Sequence, residues 1–199
     1  MGTGQNSEFP RQSGTVLVCA NGWTLPDDYA RARLIEAHAP VIAVNDAAGA
    51  VRAFALFSLH PRKVAGWRQE QIKFCGGQGS HISTHSAGTR HRRTNIGVDP
   101  DDHDIDFWWQ EALSTGSSGW SARKMARMMG FDRVIMCGMP MQKGKYAPHT
   151  KGRWNKAWQD QRSVDHYRRG IMEDADDWHD GVFSMSGWTM SVFGEPPAV

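Results

Sequence analysis

Short apolar runs rich in β-branched residues alternate with segments of helical periodicity, and this alternation constrains the fold more than any other feature. Continuous apolar runs of four to six residues are typical of strands buried on both faces of a sheet. The predicted strands are TVLVCA at 15–20, VIAV at 41–44, VRAFALFSL at 51–59 and DRVIMCG at 132–138. A polar, His-rich strand is predicted at 81–86, and a short strand and turn at 181–189.

Helices are predicted between these strands, where apolar residues recur at helical spacing. The predicted helices cover residues 27–38, 63–74, 120–129 and 164–174. Strands and helices in alternation require right-handed crossovers and a mainly parallel sheet. The sequence therefore predicts an α/β fold: a single Rossmann-like domain over residues 15–199, with a mainly parallel sheet flanked by helices. Residues 1–14 are predicted as a flexible N-terminal tail, and 140–162 as a lid without clean periodicity.

Length and composition limit the class of protein. The 199 residues, 40% of them apolar, suffice for one domain with its own core. Three widely spaced cysteines, an odd number, indicate neither a disulfide framework nor a zinc ribbon. With no apolar run of membrane-spanning length and no signal-peptide pattern, we expect a cytoplasmic protein. A net charge of +2 gives only weak overall attraction to a polyanion.

Polar residues follow the predicted strands at the point where each strand ends. Asn21 and Gly22 follow the first strand, Asn45 and Asp46 the second, and His60 the third. The carboxyl ends of parallel strands share one edge of a sheet, which is the usual ligand site of open α/β sheets. We therefore predict a nucleotide-binding rim at this edge, while Asn-Gly and Asn-Asp also serve simply as turn residues.

A turn of small residues, Ser117, Ser118 and Gly119, precedes the predicted helix at 120–129. Backbone amides at a helix start can cradle a phosphate or a carboxylate, and plain capping by serine is the alternative. The glycine spacing fits neither the P-loop nor the dinucleotide fingerprint, so the turn specifies no known phosphate motif.

Three further features carry possible chemistry. His60 is a candidate general base because histidine titrates near neutral pH, and a turn residue before Pro61 is the alternative. The basic cluster Arg90, Arg92 and Arg93 could bind a polyanionic acceptor, or could be a solvated loop. Asp104 and Asp106 could ligate a divalent cation, although a solvated acidic loop is the favoured interpretation, and no metal site is assigned.

The order of motifs resembles that of bacterial sialyltransferases and of the related motility-associated-factor glycosyltransferase-like proteins. The motifs are VLVCANG at 16–22, VIAVND at 41–46, SSG at 117–119 and GFDRVIMCGMP at 130–140. The final segment SMSGWT at 184–189 resembles that of uncharacterised phage and prophage proteins. The likeness spans about two-thirds of the chain.

The resemblance implies a glycosyltransferase-like enzyme that binds a nucleotide-sugar, with a CMP-sugar as one candidate donor, and transfers the sugar to a hydroxyl of a modified DNA base or a surface glycan. It assigns nucleotide contacts to Asn21, Asn45 and the 117–119 turn, and His149 and His166 are the two candidates for the late catalytic histidine. Trp23 replaces the usual proline of the first motif, Pro140 replaces an acid, and no tyrosine pair follows. These departures leave two alternatives: a non-catalytic nucleotide-binding protein of the same fold, and a nucleic-acid-binding phage accessory protein.

Overall fold

The computed structural model describes residues 9–77, 82–87, 105–114, 117–144, 160–174 and 180–198. Within these residues the chain forms one sheet of seven strands, every neighbouring pair of which is parallel. The strands are β1 Thr15–Cys19, β2 Val41–Val44, β3 Ala55–Ser58, β4 Ser83–Ser86, β5 Phe107–Trp108, β6 Arg133–Cys137 and β7 Val182–Ser184. Their order across the sheet is β5-β4-β3-β2-β1-β6-β7.

Helices cover both faces of the sheet. They are α1 Leu25–Ile35, α2 Val64–Phe74, α3 Ser118–Met129, α4 Gln161–Glu173 and α5 Gly187–Phe193. Because side chains alternate along a strand, Leu17 and Cys19 pack with α1 and α2, whereas Val16 and Val18 pack with α3 on the opposite face. The second face also carries α4 and α5, and the ring of Phe193 stacks on that of Trp120 with centroids 5.1 Å apart.

The predicted fold class is confirmed, since a strand forms within each of the predicted ranges 15–20, 41–44, 51–59, 81–86 and 132–138, and all five join one parallel sheet. The third strand is shorter than predicted, because β3 covers only Ala55–Ser58. One strand and one α-helix were not predicted. β5 is only two residues long, too short to show a periodicity. The predicted turn after β7 is wrong, because α5 begins there at Gly187, whose φ of 69° lets the chain reverse directly into a helix.

Part of the predicted N-terminal tail packs on the domain. Phe9 meets the rings of His85 and Phe107 edge to face, and the Gln12 amide donates to the Met129 carbonyl at 2.8 Å. Residues 1–8 lie outside the described part of the chain, so flexibility there stays a prediction. None of the helices in the described ranges is both long and apolar enough to cross a membrane.

The sheet order places a topological switch point between β1 and β6. From β1 the chain adds β2, β3, β4 and β5 on one side, then returns to add β6 and β7 on the other. The connection after β1 leads to α1 on one face, and the connection after β6 leads to α4 on the other. Loops that diverge in this way leave a crevice at the carboxyl ends of the two strands, which we call the β1–β6 crevice.

Candidate functional site

The floor of the β1–β6 crevice is a tight contact between the two loops that leave its strands. The Ala20 amide donates to the Cys137 carbonyl at 2.9 Å, and the Gly22 amide donates to the Gly138 carbonyl at 2.8 Å. A Cβ atom on Gly22 would lie only 2.5 Å from that Gly138 oxygen. Only glycine therefore fits at position 22, and the Asn-Gly turn has a packing reason beyond turn formation.

Asn21 lies between these paired backbones, and its side chain is the most unusual polar group of the crevice. The residue is 7% exposed, and neither Nδ2 nor Oδ1 has a hydrogen-bond partner in the described residues. A buried polar group without a partner costs about 1–3 kcal/mol of stability. Because this amide lies at the carboxyl edge of a parallel sheet, where ligands usually bind, Asn21 is a candidate ligand contact.

Asn45, at the end of β2, is partly satisfied within the protein. Its Oδ1 accepts a hydrogen bond from Ser58 Oγ at 2.8 Å, which joins the ends of β2 and β3. Asp46 accepts from Trp67 Nε1 at 2.8 Å, a contact with α2. Both residues thus have a structural role at this edge, and their nucleotide contacts stay a prediction.

The amino end of α3 reaches the same edge. Ser117 caps the helix, because its hydroxyl accepts from the Trp120 amide at 3.2 Å. A Cβ on Gly119 would lie 2.5 Å from Met139 Sδ, which places the first turn of α3 directly against the loop after β6. Capping is therefore confirmed for Ser117, while the first amides, those of Ser118 and Gly119, point out of the helix end in the geometry that suits an anion.

Charged groups connect α3 to the residue that follows α4. Asp174, which follows α4, accepts from Trp120 Nε1 at 3.2 Å and faces Lys124 Nζ at 3.5 Å. The guanidinium of Arg123 lies 3.7 Å from the centroid of the Trp120 ring. Burial lowers the pKa of Arg123 to about 9, against the opposing effect of the Asp174 charge. The amino end of α3 is thereby fixed on the sheet.

The wall of the crevice is the segment Gly138–Met141, which we call the β6 loop. Each of its four carbonyl groups accepts a hydrogen bond, and the donors come from the loop after β1, from α4 and from α5. The donors are the Gly22 amide to Gly138 at 2.8 Å, Thr189 Oγ1 to Met139 at 2.5 Å, the Trp188 amide to Pro140 at 2.8 Å and Arg168 Nε to Met141 at 2.8 Å. The β6 loop is therefore a rigid surface.

Backbone strain also collects at this edge. Among the described residues, the non-glycine positions with positive φ are Asn45 at 54°, Ser117 at 142° and Met141 at 45°. They follow β2, precede α3 and follow β6, so all three border the carboxyl edge of the sheet. Side-chain-bearing residues rarely adopt such angles, and in proteins these strained positions cluster at ligand sites.

Trp23 follows the Asn-Gly turn and contacts the described part of the predicted lid. A Cβ on Gly144 would lie 2.2 Å from Cζ3 of the Trp23 ring, so the backbone of Gly144 rests on the indole. Residues 145–159, the centre of the predicted lid, lie outside the described ranges.

His60, the predicted general base, is exposed at the end of β3. Its amide donates to Ser58 Oγ at 2.8 Å. Partial desolvation and the positive charge of Lys63 lower the pKa of His60, so the neutral form that can accept a proton dominates at neutral pH. β3 is two strands from β1, so His60 lies roughly 10 Å from Asn21 across the sheet.

The other predicted site residues are not described. His149, Arg90, Arg92 and Arg93 lie outside the described ranges, so a lid base and a polyanion site stay predictions. Within those ranges, no group of three His, Cys, Asp or Glu side chains could hold a metal ion.

Asp106, a candidate cation ligand in the sequence, and His85, in the predicted His-rich strand, both have structural roles. Asp106 accepts from the Thr84 amide at 2.8 Å and from Arg68 Nη2 at 3.1 Å, which joins β4, β5 and α2. His85 is fully buried, with Nδ1 accepting from Trp109 Nε1 at 3.0 Å. Burial lowers the pKa of His85 to about 3, against the opposing effect of the Asp106 charge, so this imidazole is neutral.

Asp28 is a site residue that sequence reasoning missed. The helix predicted from residue 27 has Asp28 in its first turn, where an acid suits the helix dipole, and the structure confirms this position. The structure also buries it to 2% exposure beside the β6 loop, where its carboxylate accepts from the Gly138 amide at 2.9 Å. No sequence signal pairs residues 28 and 138.

Of three comparisons with known proteins, only the one with solved structures gives a match. No family model matches the chain, and neither does any curated protein sequence. Among solved structures, the sialyltransferase CST-II in complex with a trisaccharide acceptor and CMP has a TM-score of 0.64 at 12% identity, over 92% of this chain and 86% of that one.

Two further structures come from Campylobacter jejuni. CstII in complex with the substrate analogue CMP-3FNeuAc gives a TM-score of 0.61 at 10% identity, over 92% of this chain and 86% of that one. The monofunctional α-2,3-sialyltransferase Cst-I gives 0.56 at 9% identity, over 93% of this chain and 80% of that one. The chain thus has the fold of these sialyltransferases along nearly its whole length.

Proposed function

We propose that this protein binds the nucleotide of a nucleotide-sugar in the β1–β6 crevice and transfers the sugar to a hydroxyl acceptor. The observation that carries the proposal is the side chain of Asn21, which is 93% buried at the switch point without a partner for either amide atom in the described residues. An amide that offers both a donor and an acceptor matches the paired polar groups of a nucleobase edge or a ribose.

The surroundings of Asn21 suit the rest of a nucleotide. The first turn of α3 presents the amides of Ser118 and Gly119, and the helix dipole favours a phosphate there. Asn45 lies one strand further along the same edge. A nucleotide spanning the crevice would use these groups together, which supports assigning the base and ribose to the asparagines and the phosphate to α3.

The comparisons suggest which donor to test first. The similar sialyltransferases were solved with CMP, with CMP-3FNeuAc and with a trisaccharide acceptor. A CMP-sugar is therefore our first candidate donor. The proton of the acceptor hydroxyl would pass to His60 or His149, and the acceptor would be a surface glycan or a modified base in phage DNA. The phage or prophage origin of the protein rests on the resemblance of its final motif alone.

Calorimetric titration of the nucleotide-free protein with CMP, UDP, GDP and TDP, with and without Mg²⁺, tests the binding step. We expect nucleotides with one base to bind. In a melting experiment the same nucleotide, at a hundred times its Kd, should add about 2.7 kcal/mol to the free energy of unfolding. Asn21→Ala should abolish this binding and Asn45→Ala should weaken it. Gln69→Ala, which removes an exposed amide on α2, is the matched control and should bind as wild type does. Equal affinity in Asn21→Ala would refute the site.

A non-catalytic nucleotide-binding protein is the second candidate, and the β6 loop favours it. Pro140 occupies the place where the resemblance expects an acid, and its side chain can neither take nor give a proton. Incubation of the protein with the sugar conjugate of the nucleotide that binds, with and without oligosaccharide or DNA acceptors, separates the two candidates. Release of free nucleotide indicates transfer or hydrolysis, and tight binding without release indicates the second candidate.

A further inference from the structure

The buried carboxylate of Asp28 joins three segments that are far apart in sequence. Its Oδ2 atom accepts from Thr24 Oγ1 at 2.8 Å, from Ser186 Oγ at 2.6 Å and from the Gly138 amide at 2.9 Å. Thr24 belongs to the loop after β1, Gly138 opens the β6 loop, and Ser186 lies between β7 and α5. Charge-assisted hydrogen bonds of this kind are about twice as strong as neutral ones.

The position of the Gly138 amide depends on this contact. Gly138 has φ of 67°, and a Cβ there would lie 2.2 Å from the Ala20 carbonyl oxygen. The β6 loop therefore lies against the backbone that carries Asn21, with no room between them. A small displacement of Gly138 would change the shape of the pocket around the Asn21 amide.

The SMSGWT segment supports the other side of the β6 loop. Thr189 Oγ1 donates to the Met139 carbonyl, and Ser184 Oγ lies 2.8 Å from Thr189 Oγ1. A Cβ on Gly187 would lie 2.4 Å from the Pro140 carbonyl oxygen, so α5 begins in direct contact with the loop. The motif that the sequence singled out at 184–189 thus packs on the crevice wall, and Ser186 connects it to Asp28.

We propose that Asp28, with Thr24 and Ser186, is a positioning network that fixes the β6 loop at the distance from Asn21 at which a nucleotide fits. The proposal rests on the proposed function for its ligand. Asp28 touches no ligand itself. It acts through the hydrogen bond from the Gly138 amide. Its hydrogen bonds with Thr24, Gly138 and Ser186 connect the loop after β1, the β6 loop and the SMSGWT segment.

Asp28→Asn and Ser186→Ala test the network. The first keeps the size of the side chain and removes its charge, and the second removes one donor. Asp106→Asn is the matched control, because Asp106 also accepts from a backbone amide and a threonine hydroxyl, those of Thr84. It lies on the outer side of β4, roughly 19 Å from β1 across the sheet.

The readouts are the Kd for CMP, or for whichever nucleotide the wild type binds, and the melting temperature. We expect Asp28→Asn to weaken binding about tenfold, equivalent to about 1.4 kcal/mol, and Ser186→Ala to weaken it to a smaller degree. Asp106→Asn should lower the melting temperature comparably while its Kd stays within about twofold of wild type. Unchanged affinity in Asp28→Asn, or equal losses in Asp28→Asn and Asp106→Asn, would overturn the proposal.

Hydrogen exchange separates this proposal from the proposed function. In the nucleotide-free protein, Asp28→Asn should accelerate exchange in peptides that contain the Gly138 amide, with little change in peptides from β3 and β4. If the wild type binds no nucleotide, the proposed function fails, and this local acceleration still upholds Asp28 as the group that holds the β6 loop. Wild-type exchange at Gly138 in the variant would refute that role.

Discussion

Replacing Asn21 by leucine should stabilise the nucleotide-free protein, the reverse of what a buried asparagine usually does on substitution. The two side chains share one branched skeleton, and both amide atoms of Asn21 are buried without partners in the described residues. Each such atom costs about 1–3 kcal/mol, and the larger methyl groups of leucine offset part of the gain through crowding. We expect a net gain of about 2 kcal/mol, which for a chain of this size raises the melting temperature by about 4–8 °C.

Asn45→Ala is the contrasting variant, because Asn45 accepts from Ser58 and has φ of 54°, which alanine tolerates less well. It should lose about 1–2 kcal/mol. Urea denaturation of both variants without nucleotide measures these differences, and titration with nucleotide should show binding lost in Asn21→Leu. A fall of several degrees in the melting temperature of Asn21→Leu would refute the reasoning, since it would mean that the amide already has partners.

Other outcomes follow from burial and close contact. The folded-state pKa of His85 lies near 3, below its unfolded value of 6.5, so its contribution to stability is present above pH 6.5 and is lost as the pH falls toward 3, by up to about 5 kcal/mol. Urea denaturation between pH 4 and 7 should show a shallower pH dependence in His85→Gln than in wild type. Gly22→Ala should lower the melting temperature sharply and abolish nucleotide binding, because its Cβ would meet the Gly138 oxygen at 2.5 Å. Gly66→Ala, in α2 with open space around it, should instead gain up to about 1 kcal/mol, and a loss comparable to that of Gly22→Ala would contradict the steric argument.

Local sequence was sufficient for most of the fold. The strand runs and the helical segments were recognised because a buried parallel strand and an amphipathic helix each leave a pattern of their own. α5 was missed because its seven residues follow a strand directly, with Gly187 serving as the bend. β5 was missed because two residues carry no pattern.

The site was predictable only to the level of the sheet edge. Asn21 and Asn45 both follow a strand, and nothing in the sequence distinguishes them. The structure does, since Ser58 satisfies Asn45 from 13 residues away while Asn21 keeps an unpartnered amide within the described chain. Contacts of Asp28 with Gly138 and Ser186 span 110 and 158 residues, and no local pattern reports pairs at that separation.

Strain and unsatisfied polarity at one edge of the sheet have a common physical meaning. The three strained non-glycine residues of the described ranges border the carboxyl edge, and so does the unpartnered Asn21 amide, whereas the central strands β1, β2 and β6 behind that edge are buried and almost wholly apolar. Such features cost about 1–3 kcal/mol each and persist only where the surrounding structure enforces them. Here the hydrogen bonds of Asp28 and of the four β6-loop carbonyl groups hold the strained backbone in place. A nucleotide whose polar groups pair with the Asn21 amide would remove this cost in the bound state. The stability of this edge and the affinity of its ligand should therefore vary in opposite directions across substitutions at Asn21, and together across substitutions at Asp28.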